Sequence, residues 1–283
     1  MLGSGRWGDL TSPELTRLDP ESTVALLPVA AIEQHGPHLP VGTDALINAG
    51  IVAGALARLQ SAEDADDTGP RRARLLVLPA IDVGHSIEHA DYAGTLAAGT
   101  ETLLALWTDV AAGVAASGIR KLILFNSHGG QTGLVDLVAV RWRRQLGLMA
   151  ARASWPDLGM PAGLFNAGEM AHGLHGGEIE TSLMLHLHPQ LVRRPLPASD
   201  LGPGPRLAER NTVLGLERPV GIGWLAQDLG PDGICGAAAR ADAERGARLL
   251  EHLVDRLAAL ARELAATPLT MLAPAPPETS SRE

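Results

Sequence analysis

The sequence is poorest in cysteine and in aromatic residues. Among 283 residues there is one cysteine, Cys235, so no intrachain disulfide can form and the fold does not rest on an oxidising compartment. Cys235 is expected as a small core or loop residue. Phe, Trp and Tyr make up 3% of the chain, so aliphatic side chains must fill the interior, and Trp155 and Trp224 stand out where they fall near polar loops. No uninterrupted apolar stretch approaches the roughly 20 residues of a membrane-spanning helix. The opening segment MLGSGRWGDLTSPEL lacks a basic stretch followed by an apolar run. Nor do Lys and Arg form a stripe: the formal charge is −9, which repels phosphate backbones and anionic lipid headgroups. These absences predict a cytoplasmic chain with no nucleic-acid or membrane partner, acting on a small molecule.

What is plentiful is aliphatic. The chain is 46% hydrophobic, enough for one large core, and its length suits a single α/β domain over residues 1–267. Val24–Ala31 (VALLPVAA) is a nearly continuous apolar run, the pattern of a strand buried on both faces of a parallel sheet. Leu75–Pro79 and Leu122–Phe125 repeat it. A helical pattern follows each, over Asp44–Leu59, Gly99–Ser117 and Thr132–Gln145, with Gly118 as a stop signal. This alternation predicts a three-layer α/β/α sandwich around a central, mainly parallel sheet, with ligands bound beyond the carboxyl ends of the strands. Gly236–Ala266 has the pattern of a long amphipathic helix that packs on the sheet through Leu249, Leu250, Leu253, Leu257 and Leu260. Ser61–Arg72 is expected as a surface loop, Ala198–Pro219 as irregular, and the Pro/Ser/Glu-rich tail 268–283 as disordered.

Polar motifs fall where ligands should bind. Glu33, His35 and Asp44 follow the first strand in AIEQHGPHLPVGTD. Side chains 33 and 35, alternate residues on an extended backbone, point the same way. Asp44 opens the next helix, where it can give one oxygen to each of two metals. Mixed carboxylate and imidazole donors with no thiolate suit Zn²⁺, Mn²⁺ or Fe²⁺. Taken singly, Asp44 as a helix cap and the others as loop polars is an adequate account. As a cluster at a buried strand end they are costly without a purpose.

The second motif, Asn126-Ser127-His128-Gly129-Gly130-Gln131, follows the third strand and brings His128 to the same edge as a further ligand. Its glycines let the backbone approach a ligand or metal. The third, HGLHGGEIETS (172–182), passes from a Gly-rich loop into an apolar helix over Leu183–Leu187. Glu180 either completes the metal shell or favours the helix start as a first-turn carboxylate. His175 is the candidate for proton transfer, because a histidine with its ordinary pKa of about 6.5 offers both protonation states near neutrality. His172 is a weaker competitor, and His186 and His188 are taken as structural. The loop after the second strand holds His85, Ser86, Glu88 and His89, which either contact substrate, orient the ligands or serve the loop alone.

In order and spacing, EQHGPHLPVGTD, NSHGGQ and HGGEIETS resemble the creatininase (creatinine amidohydrolase) family over roughly residues 20–190. The resemblance implies an α/β/α sandwich, two divalent metal ions (Zn with Mn, Fe or a second Zn) and a homo-oligomer, often a hexamer. It implies Glu33, His35, Asp44, His128 and Glu180 as metal ligands, with Asp44 bridging. His175 takes the place of a catalytic histidine. Ser86, His89, Gly129 and Trp155 fall near substrate-binding positions. Gly129 and Gly130 depart from the pattern, since creatininase proper has a Tyr-Glu pair there, the glutamate being a ligand. Gly-Gly members resemble hydrolases of other amides, among them a formamidopyrimidine deformylase and a mycofactocin-maturing peptidase. The expected activity is therefore hydrolysis of a carbon–nitrogen bond other than a peptide bond, in a small amide or lactam. Two rival readings are a metal-dependent hydrolase of another cyclic compound, acting on a C–C or formamide bond, and a catalytically silent metal-binding oligomer.

Overall fold

A computed structural model describes residues 5–64, 73–198 and 200–273. In chain order the elements are α1 (Ser12–Leu15), β1 (Thr23–Val29), α2 (Thr43–Asp64), β2 (Arg74–Val77), α3 (Thr100–Ala116), β3 (Lys121–Asn126), α4 (Thr132–Leu146) and β4 (Met149–Ser154). Then follow α5 (Ala167–His172), α6 (Glu178–Leu187), α7 (Gly204–Arg210), α8 (Ala226–Leu229) and α9 (Ala243–Ala266), with 3-10 turns between.

The four strands pair in the order β2-β1-β3-β4, all parallel. Every residue of β1 and of β3 is buried, as the unbroken apolar runs require of strands covered on both faces. Their alternation sorts the core into two clusters. Val24 and Leu26 of β1 and Ile123 and Phe125 of β3 face the side covered by α2, α6 and α9. Ala25, Leu27, Val29, Leu122 and Leu124 face the side covered by α3 and α4. The expected three-layer α/β/α sandwich is therefore the architecture, held by burial of aliphatic side chains worth about 1.5–3 kcal/mol each.

The fourth strand is a departure from the expected pattern. MAARAS has no apolar run; only Met149, Ala153 and Ser154 are buried, and Arg152 is exposed and paired with Asp136 of α4 at 2.7 Å. The helix expected over Gly236–Ala266 starts at Ala243, where the Asp242 side chain accepts the Arg245 N–H as its cap. It buries Leu249, Leu253 and Leu257 against α2 and α6 as well as the sheet, leaving Leu250 and Leu260 partly buried. The loop expected from Ser61 begins later, because α2 continues to Asp64; residues 65–72 lie outside the described residues, as does the tail from 274. Irregularity across 198–219 is broken by α7. Among the described residues no helix is long and apolar enough to cross a membrane.

Register places the strand ends level: Val29 lies opposite Asn126, and Asn126 opposite Ser154. The polar loops that follow β1, β2 and β3 therefore leave the sheet at one edge.

Candidate metal centre and active site

Three amides fix this edge. Asn48, on the second turn of α2, donates to Val29 O at 3.1 Å, to Phe125 O at 3.2 Å and to Ser127 Oγ at 3.2 Å. Gln131 donates to Ala30 O at 3.1 Å and to Asn126 Oδ1 at 2.8 Å, while its oxygen accepts the His85 N–H at 3.0 Å. Asn126 in turn receives the His128 N–H at 3.0 Å and donates to His128 O at 2.7 Å. Backbone groups that an open loop would leave to water are thus satisfied inside the protein, and the site loops are held to one another.

At the centre stands Asp44 at the start of α2, its residue 2% exposed. Its Oδ1 lies 3.3 Å from His35 Nε2 and its Oδ2 3.3 Å from His128 Nδ1. Glu33 Oε1 lies 3.2 Å from the same His128 nitrogen and 3.9 Å from His35 Nε2, and Glu180 Oε1 is also 3.9 Å from His35 Nε2. Glu33, His35 and Asp44 form one set of converging donor atoms, all within 4.8 Å of one another; His35, His175 and Glu180 form another. His35 Nε2 and Asp44 Oδ2 are buried with no hydrogen-bond partner. An orphaned imidazole nitrogen facing carboxylate oxygens fits a divalent cation, which turns unsatisfied donors into ligands.

The same crowding sets the electrostatics. Burial disfavours a charged His35, yet Asp44, Glu180 and Glu33 outweigh it and raise its pKa to about 10. His128 is raised well above the usual value, against burial, by Glu33, Asp44 and Glu88. Burial first, then the carboxylates of Asp44 and Glu33, lift Glu180 to about 7 against the pull of His35. Asp44 is held below the usual carboxylate range, against burial, by His35 and His128. Protons on two imidazoles here offset the negative charge that cations would offset.

His175 lies beside this cluster, packed between His35 and His89 with ring centroids 4.2 Å from each. Its Nε2 is 2.6 Å from Gln34 O, a hydrogen bond that places the proton on Nε2 and leaves the Nδ1 lone pair free; Nδ1 is 3.7 Å from Glu33 Oε1. Burial, reinforced by His35 and His89, lowers its pKa well below the usual histidine value, so it rests neutral. Ser86 is fully buried and gives its hydroxyl to Glu33 Oε2, so it orients that carboxylate. His89 Nε2 is 3.9 Å from Glu33 Oε1, and its ring lies edge-on to that of Trp224, one of the two tryptophans that stand out in the sequence near polar loops. Gly129 is exposed, with open space where a side chain would be. Trp155 opens the turn after β4 and is buried in the hydrophobic cluster that includes Leu158 and Phe165.

Two further carboxylates stand around this cluster: Glu88 is among the loop residues expected to contact substrate or orient the ligands, and Glu169 carries no expectation from sequence. Glu88, in the 3-10 turn Ile87–His89, faces His128 Nε2 at 3.2 Å and forms a converging donor set with Glu33 and His128. Glu169, in α5, accepts the N–H groups of Glu178 and Ala237 at 2.7 Å each and so clips down the glycine loop that carries His175. The pair Asn166 and Glu169, spaced as a helix N-cap and its third residue, marks the start of α5, but the carboxylate turns away to these other partners.

Residues 8–261 match the family model described as Creatininase: creatinine amidohydrolase. A mycofactocin precursor peptide peptidase of Mycobacterium tuberculosis (strain ATCC 25618 / H37Rv) is 35% identical over 189 residues, 66% of this chain and 67% of that protein. The creatinine amidohydrolase of Pseudomonas putida is 29% identical over 203 residues, 65% of this chain and 72% of that one. In three dimensions, a candidate creatinine amidohydrolase from Bacteroides fragilis NCTC 9343 superposes with a TM-score of 0.71 at 25% identity, covering 95% of this chain and 99% of that chain. A manganese form of creatininase shares the fold at 23% identity, with a TM-score of 0.68 over 92% of this chain and 98% of that one. A zinc–zinc form of a creatininase mutant gives 0.70 at the same identity and the same coverage.

Proposed function

Because this chain belongs to the creatininase family, we propose that it cleaves an amide-type carbon–nitrogen bond with the help of two divalent cations. Glu33, Asp44 and His128 would hold one, and His35, Asp44 and Glu180 the other. The observation that carries this reading is Asp44, whose two oxygens face two different buried imidazole nitrogens at 3.3 Å each. Divalent cations bound there supply Lewis acidity, which polarises a carbonyl and lowers the pKa of water from 15.7 to about 7. Zn²⁺ and Mn²⁺ suit the oxygen and nitrogen donors, and Fe²⁺ fits the same set.

The protein's own groups do the rest. Ser86 holds Glu33, and the backbone N–H of Gly176 holds Glu180 through Oε2 at 2.6 Å, so the donors keep their places. His175, neutral and with Nδ1 free, takes a proton from the attacking water and passes it to the leaving nitrogen. Its Nε2–H stays with Gln34 O and keeps the ring oriented throughout. The glycines at 129 and 130 leave the wall beside His128 without large side chains, which suits a substrate other than creatinine. The proposal extends to a homo-oligomer, the hexamer included, in the cytosol.

A peptide bond is the second reading, favoured by the 35% identity to mycofactocin precursor peptide peptidases. Elemental analysis of purified protein, followed by a hydrolysis screen across lactams, formamides and short peptides with mass-spectrometric detection, tests both. Metal at two equivalents with turnover of lactams or formamides supports the small-amide reading, and turnover confined to peptides selects the second. Protein loaded with metal but inert across the panel overturns both.

A further inference from the structure

His128 shows two faces to the protein. Its Nδ1 points at Glu33 Oε1 and Asp44 Oδ2, while its Nε2 lies 3.2 Å from Glu88 Oε1 and 2.9 Å from the carbonyl oxygen of His85. A neutral imidazole carries its proton on one nitrogen only, and two acceptors at Nε2 with none but carboxylates destined for a cation at Nδ1 decide which. A side chain at 130 cannot coexist with this arrangement: a Cβ built on Gly130 overlaps the Glu88 carboxylate and crowds His128 Nε2. At Gly129 the same construction meets open space. The need for glycine is therefore specific to 130, and its cause is the carboxylate that leans over it.

We propose that Glu88 is a positioning residue: from above Gly130 its carboxylate accepts the Nε2–H of His128 and thereby presents Nδ1 to the cation shared by Glu33 and Asp44. Carboxylate–histidine pairs of this kind fix the tautomer and ring angle of a ligand and raise its basicity. Glu88 and Gly130 form a matched pair, joined through one imidazole although far apart in the chain. This inference rests on the metal reading above, and the test separates the two.

The probe is Zn²⁺ alone, titrated into metal-free protein against a chromophoric chelator, with Co²⁺ absorption as a second signal of His128 ligation. Glu88→Ala is expected to weaken binding at one of the two sites by about 10–100-fold and to alter the Co²⁺ spectrum. Glu88→Gln, which keeps an acceptor oxygen, recovers most of that loss. Gly130→Ala, which displaces the carboxylate with one methyl group, reproduces the Glu88→Ala loss, and the double variant is no worse than either. Far-ultraviolet circular dichroism of the metal-free variants confirms that each is folded. Wild-type protein that binds no Zn²⁺ removes the metal reading and this inference together. Wild-type binding at two sites with unchanged affinity in Glu88→Ala, with Glu88→Gln as weak as Glu88→Ala, or with additive losses in the double variant, overturns the inference alone.

Discussion

Glu178 and Glu180 stand one residue apart on the first turn of α6 and belong to two different regions of buried charge. Glu178 is fully buried and paired: it meets the Arg245 guanidinium and accepts from Asn166 Nδ2 at 3.1 Å. Glu169 beside it is filled by backbone N–H groups, and Gly173, Gly177 and Gly236 crowd its carboxylate so closely that none has room for a side chain. Glu180 faces the other way, into a cluster where, among the described residues, His35 Nε2 and Asp44 Oδ2 face opposite charge but make no hydrogen bond. Both regions place carboxylates out of water at a cost of several kcal/mol per ion. One region repays that cost within the chain and is architecture. The other is offset only by protons on His35 and His128, and donors that converge without hydrogen bonds, more than burial or charge alone, mark it as the candidate site.

The largest effect expected from breaking this contrast is at Asp44. Asp44→Asn replaces one of the two oxygens that face the two imidazoles and removes the charge; metal content by elemental analysis should fall below one per chain and kcat/KM by more than about 10³-fold, several kcal/mol of transition-state stabilisation. The fold should remain. The reverse is expected of Glu178→Ala, which takes the buried partner from Arg245 but leaves it Asp242, and should cost about 1–3 kcal/mol in urea unfolding of the metal-free protein while leaving Zn²⁺ stoichiometry unchanged. Loss of metal without loss of stability there would erase the distinction between the two regions.

His175→Gln sharpens the division within the site. Metal content is expected to stay and turnover to fall about 10²-fold, measured at saturating substrate. Lost metal would make His175 a ligand, a role its Nδ1 is placed to fill.

The smallest effect is a pH dependence. The His35 pKa is raised to about 10 from an ordinary 6.5, so its contribution to stability is complete below about pH 6.5 and is lost as pH rises through 10. His128 acts in the same direction. Metal-free protein should therefore lose at least about 4 °C of melting temperature over that window, roughly 1–2 kcal/mol for a chain of this size. Zn²⁺-loaded protein, in which cations replace those protons, should not.

Much of this site could be read from the sequence because it is built from loops that directly follow buried strands. An apolar run that ends in Glu, His or Asn signals both the strand and the edge, so Glu33, His35, Asp44 and His128 could be placed together. β4 escaped because a strand at the sheet edge, with Arg152 in solvent, needs no unbroken apolar run. Glu88 is legible in sequence as one of four polar loop residues that contact substrate, orient the ligands or serve the loop alone; choosing among these depends on the space above Gly130, a relation between residues distant in sequence. Trp155 is legible in sequence as a conspicuous ring near a loop and, by resemblance, as falling near a substrate-binding position; its burial in the core cluster follows from β4 and the turn after it, which the apolar pattern does not reveal. Glu169 looks like an ordinary helix-start carboxylate until α6 and Ala237 are in place around it.

Among the described residues, the amide frame of Asn48, Asn126 and Gln131 makes no hydrogen bond to the segment from 211 to 233. That segment meets the site loops through Gly233 O, which accepts from Gln34 at 2.9 Å, through Gln227, which donates to Asp91 at 3.2 Å, through the edge contact of Trp224 with His89, and through the small apolar cluster of Leu216, Leu229 and Leu174. Substitutions within that segment therefore leave the frame's hydrogen bonds in place, so the two parts of the molecule can vary separately.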